Sequence, residues 1–349
     1  MKRGVKGIIV EEELVKLLQS GRSLKLKMGF DPSRPDIHLG HVVGLRKLRQ
    51  FQELGHEVIL IVGDWTAQIG DPSGQSVTRP MLTHEEVIDN ADSYMRQFFK
   101  VIDRDKTRVV WQSEWFGKFT LADVISLTRK FTVAQFLERE DFAQRFRSGQ
   151  PIAITELLYP LLQAYDSVAI QSDIEFGGTD QKFNLLVGRD IQKAYDIFPQ
   201  CIITMPILEG TDGKNKMSKS YDNYIAFNDT PNDMYGKVLS INDNLIRALD
   251  NIPDDKNIAE PVKNLVDGIK MIQKEFTNIL EKHGIKKITT LNKKFDHNLH
   301  QAMLEIETDN KERGIVVQEI QSGYTMHDRL LRPAMVGVSK KPKKNKEKK

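Results

Sequence analysis

Two imidazoles three residues apart, His38 and His41, are the first groups in this chain that could do chemistry. A helical pattern begins at His38, with Val42, Val43, Leu45, Leu48 and Phe51 on its apolar side. Both rings therefore fall on one face of its first turn. A helix N-terminus presents free N–H groups and a partial positive charge, which suits a polyphosphate. Gly40 between them has no side chain, so a planar ring could lie against the backbone there. The chain has neither a P-loop nor a G-x-G-x-x-G turn, so a nucleotide site here uses other means. The pair could also be half of a zinc site, or a helix that merely starts with two His. Zinc wants three or four ligands, the only cysteine is Cys201, and no third His or carboxylate lies at ligand spacing. No protein metal site is expected.

Further along, Lys216-Met217-Ser218-Lys219-Ser220 places two ammonium groups on a Ser-bearing loop. Such a loop can swing in as charge develops on a leaving group and out again for release. A third constellation lies on the helical stretch from Tyr159 to Asp166, where offsets of four and three put Tyr159, Gln163 and Asp166 on one face beside Leu162. That face is either a binding surface or an ordinary polar one. The loop Phe176-Gly177-Gly178-Thr179-Asp180-Gln181 follows, its two glycines allowing close approach of the backbone to a ligand. Asp180 is expected to cap the next helix, with or without a second role. Gly70-Asp71-Pro72-Ser73-Gly74 supplies another polar loop.

The elements that must position these groups read as an α/β domain. Strand-like runs are Leu24 to Met28, Val58 to Val62, Val109 to Trp111, Val168 to Ile174 and Ile202 to Met205. Helical patterns alternate with them: Glu11 to Leu18, the stretch from His38, a capping box at Thr83 and Glu86, and Asp180 to Ala194. The alternation predicts a doubly wound parallel sheet whose ligands bind beyond the carboxyl ends of the strands, where Asp31, Asp71 and Gly177 converge. Phe116 to Pro160 is helical throughout and reads as an insertion between the two halves of the sheet. Beyond Asn223 the pattern turns mostly helical (Pro231 to Ile252, Ile258 to His283, Asn298 to Arg313), with few strand signals. The expected organisation is thus a catalytic domain over 1–223 with an insertion at about 116–160 and the lysine loop at 210–223. A helical domain over 224–330 and a basic, disordered tail over 331–349 follow.

Composition excludes several classes. Hydrophobic content of 40% and charged content of 28% are those of a globular protein. No apolar run reaches the roughly 18–20 residues a membrane span needs. The charged run Glu11 to Glu13 near the N-terminus is unlike a secretory signal, and one cysteine cannot make an internal disulfide, so a cytoplasmic protein is expected. Of the formal +3, the segment Lys340 to Lys349 alone carries +6, leaving the remainder near −3. Overall charge therefore does not argue for nucleic-acid binding.

Taken together, the stretch Phe30 to His41 and Lys216 to Ser220 resemble, in this order, the two signature motifs of class I aminoacyl-tRNA synthetases. With Gly29-Phe30-Asp31-Pro32, Gly70 to Gly74, the Tyr159, Gln163, Asp166 face and Gly177 to Gln181, the resemblance narrows to the bacterial-type tyrosyl-tRNA synthetases, over roughly Gly29 to Tyr224. It implies a Rossmann-like domain that activates L-tyrosine with ATP and Mg2+ and transfers it to tRNA(Tyr). It also implies a homodimer joined through the helical insertion, and a helical domain that reads the anticodon. In that family the His pair (His38, His41) and the cations Lys216, Lys219 and Arg79 act on the phosphates. Asp31, Gly40, His41, Asp180, Lys216, Met217, Ser218 and Lys219 would contact ATP. Asp166 would accept the tyrosine phenol proton, Asp71, Tyr159 and Gln163 would hold its ammonium, and Gln181 would face its carboxylate region. Two departures stand out. Lys27 occupies a position where many bacterial relatives carry a second phenol-facing Tyr, and it either faces the phenol or points elsewhere. Such proteins also usually end in an RNA-binding module similar to ribosomal protein S4, which this chain does not match; it is either a variant without the module or a shortened one. Tryptophanyl-tRNA synthetases share the ATP motifs and are the nearest rival, with a non-catalytic RNA-binding descendant more distant.

Overall fold

The computed structural model describes residues 2–33, 35–71, 82–252, 260–308 and 311–341. They form two units, Met1–Gly210 with Asn215–Asn228, and Thr211–Lys214 with Asp229–Lys349.

In chain order the first unit runs β1 (Gly7–Ile9), α1 (Glu11–Gln19), β2 (Lys25–Phe30), α2 (Leu39–Glu53), β3 (Glu57–Val62), the single turn α3 (Thr66–Ile69), α4 (His84–Phe98) and β4 (Thr107–Trp111). Four short helices follow: α5 (Ser113–Phe116), α6 (Leu121–Thr128), α7 (Val133–Phe136) and α8 (Glu140–Arg147). Then come α9 (Ile154–Ile170), β5 (Ile174–Gly178), a 3-10 turn (Thr179–Gln181), α10 (Lys182–Ala194) and β6 (Cys201–Met205). The sheet order is β1-β6-β5-β2-β3-β4, parallel except where β1 closes the edge against β6. Order reverses between β2 and β5, the switch point at which a crevice opens beyond the strand ends.

The continuous apolar run in β3 has its cause in this layering, since helices cover both faces of a parallel sheet. On one face Leu26, Val58, Leu60 and Ile203 pack with Leu45, Leu48 and Phe51 of α2 and Phe98 of α4. On the other, Ile59, Ile61 and Val110 pack with Ile170 of α9. Cys201 is buried on β6, and burial pushes its thiol up to about 11, so it stays protonated.

One expected strand is displaced. Val168 to Ile170 finish α9, and the strand is Ile174–Gly178. The apolar spacing of Val168, Ile170 and Ile174 serves a helix end as well as a strand, and Gln171, in the left-handed region at φ 51°, marks the true break.

The second unit begins as expected, with α11 (Pro231–Asp250), reached after α10 in chain order, and α12 (Glu260–Lys282), which pack around Leu239, Phe276 and Leu280. Beyond them it departs from the mostly helical expectation. The strands β7 (Ile285–Lys287), β8 (His300–Glu307), β9 (Val316–Gln321), β10 (Tyr324–Met326), β11 (Arg329–Arg332) and β12 (Ala334–Lys340) form two three-stranded sheets, β11-β10-β7 and β8-β12-β9. The residues 298–313, expected as a helix, contain β8 instead. This largely exposed edge strand carries the run Ala302-Met303-Leu304 instead of a clean alternation, and it is held by pairing with β12. The expected tail from 331 is likewise structured through Lys340, where Ala334, Val336 and Val338 alternate into a small core with Val316 and Phe295.

Candidate active site

The signature helix α2 is capped by a residue that also lines the crevice. His38 is extended (φ −122°, ψ 170°), and its Nδ1 accepts the Gly40 N–H at 3.2 Å. His41 answers, its Nδ1 accepting the His38 N–H at 3.3 Å, and the ring centroids lie 4.1 Å apart. Gly40 is required for this, since a Cβ there would stand 2.8 Å from the His38 ring. The chain's own imidazole fills the direction a side chain at position 40 would take, while Gly40 itself stays on the cavity wall. With its Nδ1 accepting, the neutral His38 ring carries its proton on Nε2, whereas His41 Nδ1 lies 3.3 Å from both the N–H and the carbonyl of His38 and suits either tautomer. Desolvation, with the charges of His41, Lys219 and Lys216, lowers the His38 pKa to about 3. Desolvation and Lys219 lower His41 to about 4. Both are neutral hydrogen-bond donors at physiological pH.

They form one wall of a cavity of about 360 Å³ beyond the ends of β2, β3 and β5. Asp31, Gly40, Asp71, Tyr159, Gln163, Asp166, Asp180, Gln181, Lys216, Met217 and Ser218 line the same cavity, so residues from widely separated stretches converge as the strand ends required. Lys219 is not on that wall. Its Nζ bonds the Tyr94 hydroxyl at 3.0 Å and lies 4.9 Å from that ring's centroid. Arg79 lies outside the described residues.

At the inner end, Asp166 is 2% exposed and accepts from Gln112 Nε2 at 2.9 Å and Trp115 Nε1 at 3.2 Å. Gln112 can only present its amide nitrogen, because its Oε1 takes the Thr66 N–H at 3.0 Å. Burial raises the Asp166 pKa to about 7, opposed chiefly by the charge of Lys27. Tyr159 donates to Asp31 at 2.8 Å, and its own burial, with the Asp31 and Asp71 charges, keeps the phenol protonated far above its ordinary value. Thr66 Oγ1 donates to the other Asp31 oxygen at 2.6 Å. Gly63 makes room for that contact, as a Cβ would stand 2.3 Å from both oxygens.

On the opposite lip, Gln181 donates to Asp71 at 2.7 Å and accepts from Asn184 at 3.0 Å. Asp180 does not cap α10. A 3-10 turn intervenes, Gln181 occupies the cap position, and Asp180 instead pairs with Lys216 at 2.9 Å. That pair draws the lysine loop toward the Gly177–Gln181 loop. Asn223 braces the loop from beneath, accepting from the Ser218 N–H at 2.8 Å and donating to the Lys216 carbonyl at 3.0 Å. Lys27 points away from the cavity, into a buried pair with Glu175 at 2.8 Å.

Sequence reading missed Gln112, Trp115, Thr66, Tyr94 and Asn223. Gln112 carried a signal, since it directly follows the apolar run of β4 at a carboxyl strand end. Tyr94 carried none, because its partner Lys219 lies 125 residues away; the partners of Asn223 are only five and seven residues off, but an Asn after a polar loop has no pattern that marks it.

A profile described as tRNA synthetases class I (W and Y) matches residues 19–311. A tyrosine–tRNA ligase of Dehalococcoides mccartyi (strain CBDB1) is 63% identical over 258 residues, 73% of this chain and 65% of that protein. One from Thermotoga maritima is 61% identical over 260 residues, again 73% and 65%. The chain thus spans a little under two thirds of the length of these relatives. Among solved structures, tyrosyl-tRNA synthetase complexed with L-tyrosine from Archaeoglobus fulgidus superposes with a TM-score of 0.57 at 24% identity, over 82% of this chain and 80% of that one. At that identity the likeness establishes the fold.

Proposed function

The chain belongs to the class I tRNA synthetases of the W and Y group, and from that premise we propose that it is a tyrosine–tRNA ligase. It would join L-tyrosine to ATP as tyrosyl-adenylate and pass the tyrosyl group to tRNA(Tyr). The carrying observation is that the His38–His41 pair and Lys216–Ser218 share one cavity with a buried Asp166. A phenol donating to Asp166 places an amino acid along α9, with its carboxylate directed toward the nucleotide side. In-line attack of that carboxylate on the α-phosphate forms the adenylate and releases pyrophosphate. The step asks for alignment and charge stabilisation rather than a protein nucleophile. Neutral imidazoles and two lysines meet that demand. Mg2+ is counted with the ATP it accompanies as substrate; among the described residues no three His, Cys, Asp or Glu gather as a metal site.

ATP–pyrophosphate exchange measured with each standard amino acid tests this. Tyrosine alone is expected to support it, and exchange with tryptophan in its place would favour the rival specificity.

Lys219 has a role that grows with charge on the leaving pyrophosphate. Lys219→Ala is expected to slow adenylate formation by about 10–100-fold while tyrosine affinity changes less than about twofold. Loss of tyrosine binding at a normal exchange rate would remove Lys219 from that role.

The proposal extends to a homodimer. The insertion leaves Leu121, Ile125, Val133, Phe146 and Ile154 exposed, Ile154 at 78% and Leu121 at 75%. Such side chains favour a covered face. Light scattering at micromolar concentration should return twice the mass of the chain; a monomer would refute it. A cytoplasmic enzyme, in which the second unit reads the anticodon, completes the reading. Among the described residues no helix is long and apolar enough to cross a membrane.

A further inference from the structure

Lys27 sits on β2 with no exposed surface at all, opposite Glu175 in the register of β2 with β5. Its Nζ donates to the Gln163 carbonyl at 2.7 Å and to Ser167 Oγ at 2.7 Å, and pairs with Glu175 Oε1 at 2.8 Å. An ammonium has three N–H bonds, and these acceptors use all of them, leaving none for a ligand. Glu175 is satisfied in turn, its Oε2 accepting from Ser167 Oγ at 3.4 Å and from Gln200 Nε2. Two charges buried in the face of a sheet are expensive relative to apolar residues of the same volume. What distinguishes this pair is where it holds α9. Gln163 and Ser167 bracket Asp166, and Tyr159, Gln163 and Asp166 all reach the cavity from this helix.

Resting on the tyrosine reading above, we propose that Lys27 is a positioning residue for amino-acid selection. It pins the turn of α9 that bears Asp166 and supplies the positive charge that keeps Asp166 a carboxylate. The groups that bear on Asp166 are few. Gln112 and Trp115 are neutral donors, Lys27 on β2 favours the charged form, and Glu175 on β5 disfavours it. On α9 itself Tyr159 is a neutral phenol under the influence of Asp31 and Asp71.

The sign of each effect makes the idea testable. Selection by a carboxylate weakens as pH falls and Asp166 takes up a proton. Lys27→Met removes the favourable charge and leaves Glu175, so the acid limb of kcat/KM for tyrosine moves to higher pH. Glu175→Gln removes the opposing charge and keeps the bonds of Lys27 to α9, so the limb moves to lower pH. The experiment is tyrosine- and phenylalanine-dependent pyrophosphate exchange against pH, for the full chain, both single variants and the double variant. In Lys27→Met the tyrosine KM is expected to rise by at least about tenfold with kcat within about threefold, and preference over phenylalanine to fall in step. Should that variant fail to fold, the double variant, which leaves no unpaired buried charge, is expected to fold by circular dichroism and retain the raised KM. Limbs that do not move in opposite directions, or an unchanged KM in the folded double variant, would reduce Lys27 to a structural ion pair. Absence of tyrosine-dependent exchange in the unaltered chain would instead overturn the parent reading, and this proposal with it.

Discussion

Replacing Asp166 by alanine is expected to lower kcat/KM for tyrosine by about 10³-fold or more and to leave the phenylalanine background nearly untouched. Tyrosine and phenylalanine differ by one hydroxyl, and a purely apolar pocket would separate them poorly. A buried carboxylate changes the comparison, because phenylalanine must seal it away from water without the partner it was placed to meet. Gln112 and Trp115 each engage one oxygen of Asp166, and both oxygens retain a lone pair for a phenol. The ratio of kcat/KM for the two amino acids, from pyrophosphate exchange, is the measurement. A variant that kept most of its preference would move the specificity contact away from Asp166.

The same carboxylate carries a cost in stability, and its sign can be stated. A folded-state pKa near 7 lies above the ordinary value of 3.8, so the native state holds this proton more tightly than the unfolded chain. The native state therefore loses relative stability as pH rises from about 4 to 7, by on the order of 4 kcal/mol in all. Asp166→Asn keeps the shape and loses the charge. It should melt at a higher temperature than the unaltered protein at pH 8, with the difference shrinking toward zero below about pH 4. A variant less stable at pH 8 would mean that Asp166 is held ionised at little cost.

Much of the site was legible because its residues come in local runs. His38 and His41 share a helical turn, Tyr159, Gln163 and Asp166 share a helix face, and Gly177–Gln181 leaves a strand end; such relations follow from spacing alone. The parallel sheet was legible for a related reason, since strands buried on both faces read as continuous apolar runs. What failed was whatever depends on a partner distant in sequence. Asp180 has the composition of a helix cap, yet Lys216, 36 residues away, takes its carboxylate. Lys27 on a buried strand makes sense only beside Glu175, 148 positions later in the chain. The β-strands of the second unit were hidden similarly. Residues 300–307 are half apolar but largely exposed, with Ala302, Met303 and Leu304 in a run rather than alternating, and pairing with Ala334–Lys340 makes them a strand.

Alanine at His38 or at His41 is expected to slow adenylate formation by about 10²–10³-fold each, with tyrosine affinity changed less than about threefold. The two rings line the cavity, and neither takes part in holding Asp166. Their hydrogen bonds fix the chemistry they can offer. His38 Nδ1 accepts the Gly40 N–H, so its Nε2–H is the donor it can offer, and an oxygen gaining charge in the transition state is the natural acceptor; His41 Nδ1 meets both the N–H and the carbonyl of His38 at 3.3 Å. Neutrality decides the pH dependence. With pKa values near 3 and 4, neither ring changes charge between pH 5 and 9. In single-turnover measurements at saturating tyrosine and ATP, the rate of adenylate formation should therefore show no ionisation near pH 6 to 7 attributable to the pair. A step in that range belongs to Asp166, and it should vanish in Asp166→Asn while persisting in His38→Ala and His41→Ala. The alternative, that the rings act as imidazolium cations, requires the rate to fall as pH rises through 6 to 7 and requires that fall to disappear in one of the two histidine variants. His38 has a further duty as the cap of α2, so its replacement also costs about 1 kcal/mol of stability. His41→Ala, which leaves the cap's own acceptor in place, isolates the catalytic loss. If its rate constant stayed within tenfold of the unaltered protein, the imidazoles would be structural and the phosphate contacts would rest on Lys216 and the helix N–H groups.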